Sequence, residues 1–249
     1  MSLFKNLTNQ GLEETQDRLG GGGAIETDIY TGKIKLAYAG ASSRGAQFVG
    51  LVVALAGGKE YKETVYITNA KGENFFLNKQ DSSKKVPLPG FTIIDDICLC
   101  TTGAPLADQD TEEKTIKVYD FDAKAEVPKA AQVLVGLLDQ EVSLAIQKVL
   151  EDKTKNDGNG NYVPTGETRE VNTIVKVFNT AEKMTTVEAR NGQDATFWDA
   201  WLEKNKGKTY DKSSKDAAAQ GGNTGAPRAA GAAPQAAAPA AKKSLFGKK

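Results

Sequence analysis

The chain of 249 residues has no histidine and only two cysteines, two methionines and two tryptophans. Without histidine, the usual base of a nucleophilic triad and the commonest nitrogen ligand of zinc are both missing. Cys98 and Cys100 stand two apart in an apolar stretch that reads as buried, so zinc would have to complete its shell from carboxylates, and no metal site is expected. Two thiols make no disulfide framework, which points to a reducing cytoplasm. No apolar run approaches the roughly 20 residues of a membrane span, and the opening MSLFKNLTNQ is too short and polar for a secretory segment, so no membrane partner is expected. A net charge is also missing: 32 Lys and Arg balance 32 Asp and Glu. From Glu203 onward ten basic residues face three acids, which leaves that end at +7 and residues 1–202 at −7. An anion site on the body must therefore be local.

Enzyme signatures are lacking as well. Gly57-Gly58-Lys59 has neither the spacing nor the hydroxyl residue of a phosphate loop, no Gly-x-Gly-x-x-Gly opens a helix, and no serine sits in a nucleophile elbow. Neither catalysis nor a cofactor is expected. DGNGN at Asp157 to Asn161 copies the first ligand positions of a calcium loop, but Tyr162 stands where glycine is needed and Thr168 where the bidentate Glu belongs. It reads as a hairpin turn.

What is present alternates. The segment from Asp28 to Gly40 places Ile34, Leu36 and Tyr38 on one face and Lys33 and Lys35 on the other, the period of a strand. AQFVGLVVALA is apolar on both faces. It leads through Gly57-Gly58 into a third strand with Tyr61, Val65 and Ile67 on one face and Lys62, Thr64 and Tyr66 on the other. A turn-rich connection carries Lys79, Lys84 and Lys85. FTIIDDICLCTTG then has helical spacing, with Thr92 as its cap and Gly103 as its stop. TIKVYDF and AAQVLVGLL read as strands, and EVSLAIQKVLEDKTK with ETREVNTIVKVFN as a long hairpin. These predict a mainly β fold: an antiparallel barrel with one inserted helix. DATFWDAWLEKNKG predicts an amphipathic helix capped by Asp194, with Phe197, Trp198, Trp201 and Leu202 as its stripe. The domain reading is an N-terminal arm over 1–23 with a glycine hinge, a barrel over 24–182, a helical region over 183–208 and an Ala/Pro/Gly tail over 209–249. The tail has too little apolar surface to offset its ordering entropy, which predicts a disordered tether.

The candidate site is the outward face of the early strands. Lys33, Lys35 and Lys62 supply phosphate contacts there and Tyr66 a stacking ring, with Arg44, Lys71, Lys79, Lys84 and Lys85 in the flanking loops and Phe75 or Phe76 beside them. Tyr38, Tyr61 and Phe91 read as core. From this pattern alone, ordinary solubilising and edge-protecting charge on an outward strand face is the stronger account of the same lysines.

The order of IYTGKIKLAYAG, YITNAKGENFF, LPGFTIIDDICLCTTG, KVYDF, VLVGLL and NDGNGNYVPTGETRE resembles the single-stranded DNA-binding proteins of lytic tailed phages, in particular podophages that carry a virion RNA polymerase. The resemblance covers residues 24–182. It implies an OB-type barrel that binds single-stranded DNA with little sequence preference, serves replication and recombination, and works in the cytoplasm of an infected bacterium. It also implies that the basic C-terminal tip recruits a partner, host RNA polymerase or a phage replication protein. Lys242, Lys243, Lys248 and Lys249 would supply the attraction and Leu245 and Phe246 the apolar anchor. The tip departs from the acidic end of many replicative single-strand binders. Ser-Leu-Phe occurs near both ends of the chain, which suggests self-association on DNA. Two other readings are a transcription regulator acting through the tail and a virion or scaffold protein.

Overall fold

A computed structural model describes residues 23–120, 125–158 and 162–214. Its elements in chain order are β1 (Asp28–Ala41), β2 (Gln47–Leu55), β3 (Glu60–Tyr66), β4 (Phe75–Leu77), β5 (Lys85–Pro87), α1 (Pro89–Thr101), β6 (Thr111–Asp120), β7 (Ala125–Leu134), β8 (Glu141–Asn156), β9 (Tyr162–Phe178), α2 (Thr186–Asn191), α3 (Phe197–Asn205) and β10 (Thr209–Asp211).

β1 organises the sheet because both of its edges are used. One edge pairs with β2 along most of its length; the other pairs with β8 through Asp28 to Lys33 and with β7 at Tyr38 and Ala39. The β1–β2 register shifts between Ile34 and Leu36, which makes Lys35 an extra residue. Such a bulge reverses the side on which later side chains lie. Ile34 and Ala37 therefore both point into the core, opposite Val53 and Leu51, and Leu36 and Tyr38 turn to the other face. The expectation that Tyr38 continues the inward set is corrected by this one residue. Tyr61 is in the core as predicted, Phe91 is half-buried, and Gly57 and Gly58 make the β2–β3 turn with positive φ.

α1 lies on the core side and buries Ile93, Ile94, Ile97 and Cys98 against β1, β2, β3 and β8. It starts before the predicted cap: Pro89 stands at its first turn, where a missing N–H costs nothing, and the Thr92 hydroxyl donates back to the Leu88 carbonyl at 3.3 Å. The first turn abuts β3 so closely that a Cβ on Gly90 would stand 2.1 Å from the Tyr66 carbonyl oxygen. Burial, with Asp95 adding to it, pushes the Cys98 thiol up to about 12, and Cys98 and Cys100 are both buried and free.

The predicted barrel is not what forms. The large sheet holds eight strands among the described residues and stays open, because β3 pairs only with β2 and β9 only with β8. With α1 and α3 packed on it, α2 set against α1, and β10 joined parallel to β8, the fold is mixed α/β rather than a closed antiparallel sheet. At the seam between β3 and β9 one side chain takes the place of a ladder. The Glu63 carboxylate accepts from the Ile174 amide at 3.0 Å, the Thr173 hydroxyl at 3.1 Å and the Tyr61 hydroxyl at 2.5 Å. Further along, the Asn172 amide exchanges two 2.8 Å hydrogen bonds with the backbone of Ile25, leaving a seam cleft of about 700 Å³. Strand alternation predicts faces, but closure needs matched tilt and stagger, which no alternation encodes.

On the far side of β8 and β9, α3 covers Ala145 and Phe178 with Trp198 and Trp201. Its N-terminus is capped by Glu188, not by the predicted Asp194: Glu188 accepts from the amides of Thr196 and Phe197 at 2.9 and 2.7 Å. The same carboxylate closes the α2 capping box with Thr185. Thr209 is not the start of the tail, because β10 pairs with Lys148 to Leu150 and the Ser214 amide donates to Asp152 at 2.9 Å.

Glu188 and Glu63 should respond oppositely to pH. Burial alone would raise Glu188, but hydrogen bonds from the Thr185 and Phe197 amides, the Thr185 hydroxyl and the Thr196 amide outweigh it and hold the carboxyl below its usual range. Its contribution is thus in place above the ordinary carboxylate value and lost as pH falls through the depressed one. Glu188→Ala should cost about 3 kcal/mol in urea melts near neutral pH, and less in acid. Burial raises Glu63 despite its three donors. The stability from that site is therefore complete below the ordinary value and declines as pH rises through the raised one, a slope that Glu63→Gln should remove.

Candidate nucleic-acid interface

Beyond the bulge, the face turned away from α1 is a register of cross-strand rows on β1, β2 and β3. Lys33, Ala54 and Glu60 make one row and Leu36, Val52 and Lys62 the next. Tyr38, Gly50 and Thr64 follow, and then Gly40, Phe48 and Tyr66. Tyr38 thus lies opposite Gly50, and Phe48 opposite Gly40. A Cβ on Gly50 would stand 2.3 Å from the Tyr38 ring, and one on Gly40 would stand 2.4 Å from the Phe48 ring. Each glycine is the space that lets the neighbouring ring lie down on the sheet. The Tyr38 and Phe48 centroids are 6.3 Å apart, the Phe48 and Tyr66 centroids 5.7 Å, both edge to face. Tyr66 is 51% exposed.

The β6–β7 ribbon stands over this platform. Lys117, Val118, Tyr119 and Glu126 of the ribbon and the Tyr38, Phe48, Tyr66 and Lys62 side chains enclose a cleft of about 420 Å³. A second hollow of about 340 Å³ continues along the ribbon past Lys129 and shares Tyr38, Phe48 and Val118 with the first. Burial pushes the Tyr38 hydroxyl up, so that ring is neutral at physiological pH.

Of the residues predicted from the sequence, Lys33, Lys62 and Tyr66 share this face. Lys35 does not: as the bulged residue it turns to Asp139, 3.7 Å away. Arg44 sits in the β1–β2 turn, which Gly45 brings against the Ala70 carbonyl and hence beside Lys71. Phe75 and Lys85 belong to the β4–β5 hairpin, with the Lys85 ammonium 4.2 Å from the centre of the Phe75 ring. Phe76, at 41% exposure, is the more open of that pair. Lys79 and Lys84 lie in the turn of the hairpin, and Lys84 is taken up by Asp81 at 3.3 Å. Lys242, Lys243, Leu245, Phe246, Lys248 and Lys249 lie outside the described residues, as do the N-terminal arm and part of the DGNGN turn.

Sequence reasoning missed Tyr38, Phe48, Lys117, Tyr119 and Lys129. A signal for the first two was there: Tyr-Ala-Gly in β1 and Phe-Val-Gly in β2 are aromatic-x-Gly triplets that antiparallel pairing sets ring against glycine. Among the described residues no group of three or more His, Cys, Asp or Glu is arranged to hold a metal, and no helix is long and apolar enough to cross a membrane. The face has part of its charge offset, because Glu60 and Glu126 each stand 3.7 Å from Lys62. Its chemistry is flat apolar ring surface with a few cations beside it, which suits planar groups on a phosphate chain. A scan against protein-family models finds no match for the chain, and a search of curated proteins finds none.

The glycines separate two kinds of close approach. At Gly50 the obstacle is the far end of a side chain, so Gly50→Ala should cost less than about 1 kcal/mol and swing the Tyr38 ring off the sheet, visible in its NMR ring-proton shifts. At Gly90 the obstacle is backbone, so Gly90→Ala should cost several times more by denaturant melts.

Proposed function

We propose that this protein binds single-stranded DNA with little regard to sequence, with bases held against the Tyr38, Phe48 and Tyr66 rings beneath the β6–β7 ribbon. The observation that carries the reading is the three-ring series on the floor of an open cleft. The rings follow one another at 6.3 and 5.7 Å, edge to face, so Tyr66, the most exposed of them, offers the main stacking surface and Phe48 and Tyr38 extend the apolar floor behind it. Rings are sequence-tolerant platforms because every base has a π face. Lys33, Lys62 and Lys117 flank the series, within reach of a phosphate chain that follows it. Since nearby carboxylates offset part of this charge, stacking carries the larger share of affinity and the salt dependence is shallow. A role in replication and recombination, with partner recruitment through the C-terminal tip, extends the same reading and rests on the resemblance of residues 24–182. Removing residues 242–249 should leave binding to DNA intact and abolish capture of RNA polymerase.

Titration of labelled dT oligomers by fluorescence anisotropy tests the site. Tyr66→Ala should weaken binding by about 1–3 kcal/mol with an unchanged salt slope. Lys33→Ala and Lys117→Ala should each flatten the slope by about 0.7. Lys35→Ala, directed at a lysine already engaged by Asp139, should bind like the parent. Parent-like binding by Tyr66→Ala would remove the proposal.

A further inference from the structure

Apart from the β7 pairing with β1 at Tyr38 and Ala39, the ribbon meets the platform in one ion pair among the described residues. Glu126, at the distal end of β7, places a carboxylate oxygen 3.7 Å from the Lys62 ammonium, and Glu60, the cross-row neighbour on β3, stands at the same 3.7 Å. Lys62 and Glu126 both line the first cleft, so the contact spans from floor to roof. The two side chains are 58% and 53% exposed. Ion pairs that open to water hold about 0–1 kcal/mol, too little to brace a ribbon already joined by ten cross-strand partners from Thr111–Leu134 to Asp120–Ala125. The pair is thus dispensable to the fold and lies across the path of a chain running along the rings.

Resting on the reading of the platform as a single-strand site, we propose that Glu126 is an internal competitor for phosphate. It pairs with Lys62 in the free protein as a weak latch, and it is displaced when a phosphate takes its place at Lys62. The exchange is balanced in charge: Lys62 gives up one oxyanion for another, and Glu126, once released, gathers cations from solution. The last point has a measurable consequence. Cations taken up by Glu126 offset part of the counterion release that accompanies binding, so the latch makes the salt dependence shallower than the lysines alone would give. Glu63 lines the same cleft but is engaged by Tyr61, Thr173 and Ile174, so its carboxylate is committed to the seam. Lys117 forms no ion pair with a described residue and needs no such release.

The test is a double-mutant cycle on the full chain with labelled dT oligomers at several salt concentrations. Glu126→Gln should bind about threefold tighter at low salt, with a slope steeper by up to about 0.7, and the gain should shrink in a Lys62→Ala background. Glu112→Gln, on the same ribbon but paired with Lys114 at 3.3 Å, is the control and should bind like the parent. Unchanged or weaker binding by Glu126→Gln, while Tyr66→Ala still loses affinity, would overturn the latch and leave the platform standing. An equal gain in both Lys62 backgrounds would overturn it too, as that would be general repulsion. A parent protein that does not bind dT would take down both.

Discussion

One inserted residue decides whether Tyr38 joins Phe48 and Tyr66 on the outer side of the sheet. Strand side chains alternate, so a single unpaired position in β1 reverses everything after it. Without Lys35 as a bulge, the inward pattern begun by Ile34 would continue through Leu36 to Tyr38 and send Tyr38 into the core. With it, Ala37 fills the core position opposite Leu51, and Tyr38 lies outside against Gly50. The small residue matters: α1 packs on that inner face, and a tyrosine there would compete for space with Ile94, Ile97 and Cys98. The fit of Ala37 in the core and the place of Tyr38 on the platform are therefore two results of the same register shift.

The open seam is the second constraint. A carboxylate with three donors holds β3 to β9 where a ladder would otherwise run, and burial makes its ionised form costly. A side-chain bridge fixes distance at one point only, whereas a ladder would fix tilt and stagger along the whole edge. The sheet is thus held near closure but not closed, and the helices supply the cover that closure would have made unnecessary. α1 fills one side, and α3 is fixed on the other by Glu188, whose carboxylate serves two helix N-termini at once.

The electrostatics of the platform follow from its neighbours. A patch rich in unpaired lysines would attract any polyanion over a Debye length, whereas here Glu60 and Glu126 sit on Lys62 and Asp139 on Lys35. Attraction is short in range and depends on contact. That arrangement suits stacking, which is equally short in range and favours unpaired bases whose faces are free.

Much of the outline was legible because it is local. The outward set of Lys62, Thr64 and Tyr66 follows from alternation in an unbroken strand, the Gly57-Gly58 turn from the need for positive φ, and the Trp198, Trp201 and Leu202 stripe from helical spacing, although Phe197 of the predicted stripe is exposed. The caps were misplaced, at Thr92 and Asp194, because the actual choices were made by Pro89 and by Glu188 from another helix. Residue order alone determined the long strands, α1 and α3 and which faces of unbroken strands are polar, since these depend on neighbours two to four positions away, but not the short β4, β5, α2 and β10. Only the tertiary structure decided the bulge at Lys35, the ring-on-glycine pairs, the ribbon above them and the unclosed seam, because each requires residues distant in the chain to meet in one register.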